Sequence, residues 1–144
     1  MLALAAVTLA LLGRPVPVTC YPLAQLDALE GAPAGTAWVY DSAGFYDWGH
    51  DRIGLLNATC RLLGRLGTRK PMTVEEANAA FSLAHELGHA SGIVDERLAD
   101  CYGAAHASQV AWLLGLRSRA AFLELADFIH WYSGYNPGTL PCRP

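Results

Sequence analysis

Apolar and polar positions along the chain change period several times, and the changes divide it into elements. From Val74 to Ala90 the apolar residues Ala77, Ala79, Ala80, Phe81, Leu83, Ala84 and Leu87 fall on most sides of a helix after its first turn. Thr73 and Glu76 form a capping box ahead of it, Pro71 stands just outside, and Gly92 suits its C-terminal cap. A helix this apolar belongs at the centre of a domain. A second helix is expected from about Glu96 to Leu116, and a third opens at Ser118 and ends near Gly134, before a tail rich in Pro and Gly. Upstream the pattern is shorter in period. Thr36 to Tyr40, Gly44 to Trp48 and Asp51 to Leu56 read as short strands separated by turn residues, so a small antiparallel sheet is expected. Leu23 to Glu30 suits a short helix and Leu62 to Lys70 a basic connection. The fold class is therefore α+β, a small antiparallel sheet packed on a core of about three helices.

Inside the central helix stands His85-Glu86-Leu87-Gly88-His89, which reads H-E-x-x-H. Residues four apart lie about 40° from each other on a helix, so both imidazoles can converge on one ion. Glu86 flanks that face, where its carboxylate can deprotonate water beside a metal. Two histidines and a glutamate in so apolar a helix need partners, and a metal is the simplest one.

A catalytic zinc site takes three protein ligands, and two readings of the third overlap here. His85 to Asp95 matches H-E-x-x-H-x-x-G-x-x-D, with Asp95 as ligand, and resembles the metzincins. That family also has a methionine turn downstream, whereas the two methionines, Met1 and Met72, both lie upstream. Asp95 also suits a helix N-cap. The second reading takes Glu96-Arg97-Leu98-Ala99-Asp100 as the E-x-x-x-D pattern of the helix that follows the H-E-x-x-H helix in gluzincins. Glu96 and Asp100 share a helical face as His85 and His89 do, and the short link predicts an antiparallel αα-hairpin. That hairpin sets Glu96 near His89 and Asp100 near His85.

With these residues, HELGH followed by DERLADCYG resembles a minimal gluzincin-type zinc metallopeptidase, and more closely the small secreted bacterial predicted metallopeptidases. The similarity is concentrated between Leu83 and Gly103. It implies zinc held by His85, His89 and Glu96, Glu86 as general base, and Asp100 orienting a ligating histidine, with His85 the nearer to it. It also implies a peptide or protein substrate, with Ile53 to Asn57 as an edge strand for the extended chain. His130 is a candidate to stabilise the oxyanion, with Tyr132 and Tyr135 behind it. His106 and His50 read as structural or solvated. The spacing between His89 and Glu96 is shorter than in large gluzincins. Two other classes share the cluster: a secreted protein that binds zinc without catalysis, and a zinc amidase acting on cell-wall peptides.

Composition places this chemistry. The 144 residues leave room for one domain and one core. Residues 1–18 read as a signal-peptide-like leader, apolar from Met1 to Gly13 and too short to span a bilayer, followed by a single domain over 19–144. A helix buried in the domain is the other reading of that run. Cys20, Cys60, Cys101 and Cys142 lack the spacing of a zinc ribbon and suit two disulfides, Cys20 with Cys60 and Cys101 with Cys142, each tying a terminal segment to the helices. The alternatives are free cysteines or Cys101 as a soft ligand. A net charge of −3 with scattered basic residues carries no nucleic-acid footprint. The expectation is a secreted or extracytoplasmic monomer.

Overall fold

The computed structural model describes residues 2–30, 44–68 and 71–133. Among them the elements run α1 (Leu2–Leu12), β1 (Val18–Tyr21), α2 (Leu23–Glu30), β2 (Gly44–Asp47), β3 (Arg52–Leu56), α3 (Asn57–Leu63), α4 (Val74–Ala90), α5 (Glu96–Leu113) and α6 (Arg119–Ser133). The class is α+β, with a three-stranded sheet set against a helical core.

Helix α4 is the element on which the others pack. Its capping box forms as the sequence requires: the Thr73 hydroxyl accepts from the Glu76 N–H at 3.2 Å, and the Glu76 carboxylate accepts from the Thr73 N–H at 3.1 Å. Ala80, Leu83, Ala84 and Leu87 are completely buried, against α5, α6 and the sheet. The helix stops because Gly92 adopts φ +105°, a left-handed conformation that glycine takes without strain, and the Ile93 N–H bonds back to the Gly88 carbonyl at 3.2 Å. The chain then turns directly into α5, whose first turn is capped by the Asp95 carboxylate accepting from the Leu98 N–H at 3.0 Å.

This makes the antiparallel αα-hairpin that the short link predicts. Its two helices approach closely at glycines. A Cβ on Gly103 would lie 3.2 Å from the His85 backbone nitrogen, and one on Gly88 would lie 3.1 Å from the Tyr102 Cβ. Helix α6 completes the bundle through Ala121, Leu125, Phe128 and Ile129.

The sheet differs from the expectation in two respects. Its strand order is β1-β3-β2, with β2 antiparallel to β3 but β1 parallel to it, so the sheet is mixed. A parallel pair needs a long crossover, and residues 22–51 supply one between β1 and β3. The expected edge strand, Ile53 to Asn57, is corrected as well. β3 is central, with both of its edges hydrogen-bonded, and residue 57 already begins α3. Ile53 and Leu55 are fully buried on one face, while Gly54 lies under the Phe45 ring on the other, so the run is apolar because it is covered on both sides. The expected strand from Thr36 to Tyr40 lies outside the described residues. Leu62 and Leu63 end α3, and turns follow as far as Thr68 within the connection expected there.

A disulfide joins Cys20 on β1 to Cys60 on α3, with the Cα atoms 6.3 Å apart. Cys101 is disulfide-bonded too, and Cys142 lies outside the described residues. The apolar run expected as a leader forms α1, which packs Leu4, Val7 and Thr8 into the core against α4 and α5. Beyond it the Arg14 guanidinium donates to the Ala90 carbonyl at 2.9 Å and to Asp51, holding the last turn of α4 from outside. No helix among the described residues is long and apolar enough to cross a membrane.

Replacing Cys20 and Cys60 together by Ser removes the crosslink across a sequence separation of 40. Loop-closure entropy sets the expected loss at about 4 kcal/mol, read as the difference between oxidised wild type and the double variant in urea unfolding.

Candidate metal centre

His85 and His89 project from one face of α4 with their Nε2 atoms 3.0 Å apart. Glu96, in the first turn of α5, reaches both: its Oε2 lies 3.1 Å from His85 Nε2 and its Oε1 lies 3.4 Å from His89 Nε2. One ligand atom from each of these three residues can be chosen so that all lie within 4.8 Å of one another. The histidine rings are largely covered, whereas the Glu96 side chain is 79% exposed. The cluster therefore sits at the surface end of the hairpin, where a solute can reach it.

The outer nitrogens decide what the inner ones can do. His89 Nδ1 lies 2.7 Å from the Ile93 carbonyl oxygen, and a carbonyl only accepts, so this nitrogen carries the hydrogen. His85 Nδ1 lies 2.8 Å from Asp100 Oδ1, and the ionised carboxylate makes the same demand. With both rings neutral, each Nε2 turns a lone pair inward, toward the other and toward a carboxylate. Three acceptors then face one another. A single proton relieves part of that repulsion, whereas a cation relieves all of it.

The spacing agrees. Ligands about 2.0–2.1 Å from a tetrahedral ion are about 3.3 Å apart. The two Nε2 atoms are 3.0 Å apart, and Glu96 comes within 3.1 Å of one through Oε2 and 3.4 Å of the other through Oε1, so a small shift of this exposed side chain brings one oxygen to the ion. These residues fit a small divalent ion. The choice of ion is not encoded in the donor set alone, since imidazole and carboxylate suit several first-row metals. Burial disfavours the protonated form of His85, but the Asp100 hydrogen bond and the charges of Glu86, Asp100 and Glu96 outweigh it, and the pKa is raised. A metal held here would compete with the proton for the same nitrogen.

The remaining candidates fall into place around this cluster. Asp95, the other candidate third ligand, is engaged as the N-cap of α5 and is not in the cluster. Glu86 is buried, 6% exposed, and its side chain faces the start of β2, where a Cβ on Gly44 would come within 3.5 Å of its Cγ. The same Cβ would meet the Gly54 carbonyl oxygen at 2.6 Å, so only glycine lets β2 lie this close. Cys101 is bonded in a disulfide and is not available as a soft ligand.

His130 is exposed on α6 and is not among the three residues of the candidate metal group; its neighbours Asp127, Phe128 and Trp131 line a hollow with Val74 and Ala77 at the start of α4. Ala77 is eight residues before His85, about 12 Å along the helix. The Tyr132 side chain and Tyr135 lie outside the described residues. His106 stacks on Tyr102 at 3.9 Å and bonds its carbonyl, and the exposed His50 pairs with Asp47; neither is among the residues of the candidate metal group.

Two further groups at the cluster carry no motif of their own in the sequence. The Ile93 carbonyl is a backbone group, and the only signal for it is Gly92, which turns the chain back over His89. The Trp48 ring, just after β2, stands edge-to-face against the His89 ring with centroids 6.3 Å apart. Comparison with family models, with curated proteins and with solved structures gives no match.

Asp100→Ala should weaken zinc binding by about 10- to 100-fold, because it frees the His85 ring, as measured by competition with a chromophoric chelator. Asp95→Ala should leave zinc affinity within about twofold of wild type while lowering stability by about 1 kcal/mol. Gly103→Val should wedge the hairpin open at His85, costing about 1–3 kcal/mol in unfolding and weakening zinc in the same chelator assay.

Proposed function

We propose that the protein is an extracytoplasmic, zinc-dependent peptidase in which His85, His89 and Glu96 hold the metal and Glu86 is the general base. The observation that carries this reading is the convergence of His85 Nε2, His89 Nε2 and the Glu96 carboxylate, with Asp100 and the Ile93 carbonyl turning the two rings so that each presents an acceptor there. Three ligands are the number a catalytic site uses, whereas structural zinc sites close with four. Zinc bound there supplies a Lewis acid and lowers the pKa of water to about 7.

The chain's own residues then divide the work. Asp100 and the Ile93 carbonyl hold the two imidazoles in the tautomer that presents Nε2. Glu86, adjacent in sequence to a ligand and shielded from bulk solvent, takes the proton from the attacking water and returns it to the departing amine. The H-E-x-x-H helix followed by E-x-x-x-D supports a peptide bond as the target, by resemblance to gluzincins. The Cys20–Cys60 bond and the bonded Cys101 support an oxidising compartment.

Glu86→Gln preserves the shape of the side chain and removes the base. Zinc stoichiometry should stay at one per chain, while kcat/KM on a quenched fluorogenic peptide library falls by about 10³-fold. Hydrolysis at the wild-type rate in this variant, or none by the zinc-loaded wild type, contradicts the reading.

A further inference from the structure

The cluster has two unlike walls. On the α5 side stand Glu96 and Asp100, both well exposed. On the β2 side stands Trp48, 54% exposed and in contact with a ligand ring. An indole left this open beside a ligand-binding position has a large apolar surface that water covers poorly.

It is also held still. The Asp47 carboxylate accepts from the Gly49 N–H at 3.0 Å, the His50 N–H at 3.2 Å and Arg52 Nε at 2.9 Å, closing the turn on which Trp48 sits. The Tyr46 ring packs edge-to-face on the indole at 4.9 Å, and its hydroxyl donates to Asp51 at 2.5 Å. Asp51 in turn binds Arg14, which holds the end of α4 through the Ala90 carbonyl. The indole and His89 are thereby tied to one frame, so little ordering is left for a ligand to impose.

We infer that Trp48 is a specificity-determining residue, giving the centre a preference for an apolar or aromatic side chain beside the bond that is cleaved. The inference rests on the peptidase reading and names its substrate class. A chain lying over the cluster has α5 carboxylates on one flank and the indole on the other, so an apolar side chain is sorted to the Trp48 flank. Contact with one such ring is worth about tenfold or more in affinity.

The test uses zinc-loaded protein and two chelating probes measured by calorimetry, acetohydroxamate and 3-phenylpropanohydroxamate. The phenyl probe should bind at least about tenfold tighter than acetohydroxamate in wild type and in Trp48→Phe, and about twofold tighter in Trp48→Ala, the ratio of the two probes within each protein being the readout. In wild type, needing no variant, nuclear Overhauser effects should join the phenyl protons to the Trp48 indole. A phenyl preference that survives in Trp48→Ala, no preference in wild type, or Overhauser effects only to other residues overturns the inference while leaving the peptidase reading intact. Failure of acetohydroxamate itself to bind zinc-loaded wild type removes the open coordination position, and with it both readings.

Discussion

Two acceptor oxygens, the Ile93 carbonyl and the Asp100 carboxylate, determine the character of this site. Each demands a hydrogen from the outer nitrogen of a histidine, and each therefore turns the inner lone pair toward the other ring and toward Glu96. Without them the imidazoles could donate to one another or to the carboxylate and the cluster would be an ordinary polar network. With them it is a set of acceptors that a cation completes.

Much of the local structure serves to put those two oxygens in place. Gly92 ends α4 in a left-handed turn, so the chain reverses within a few residues and the Ile93 carbonyl falls over His89. Asp95 caps the next helix at once, which sets the phase of Glu96 and Asp100 relative to the histidines. Gly103 and Gly88 then let the two helices approach closely enough for the Asp100 carboxylate to reach His85 at 2.8 Å. Arg14, Asp51 and Tyr46 hold the hairpin end from the sheet side. The last turn of α4 is thus braced on both flanks.

What was legible in the sequence was local. The capping box at Thr73, the glycine stop at Gly92 and the i, i+4 spacings of His85 with His89 and of Glu96 with Asp100 each depend on a few neighbouring residues. From them the hairpin and the gathering of His85, His89, Glu96 and Asp100 could be read. The illegible parts depend on partners far along the chain. Nothing in Val18–Tyr21 shows that it pairs in parallel with a strand more than 30 residues later, and that pairing is what makes β3 central rather than an edge. The position of His130 depends on how α6 crosses α4, which periodicity leaves open. By pattern Trp48 reads as part of a strand, and its contact with His89 is a matter of sheet-on-helix packing alone.

The most direct test of a metal centre built from two imidazoles and a carboxylate is X-ray absorption at the zinc edge on protein reconstituted with one equivalent of zinc. The account predicts only nitrogen and oxygen neighbours at about 2.0–2.1 Å, four in number, with the outer-shell scattering of two imidazoles. A sulfur shell at about 2.3 Å, or a spectrum without imidazole scattering, would contradict it.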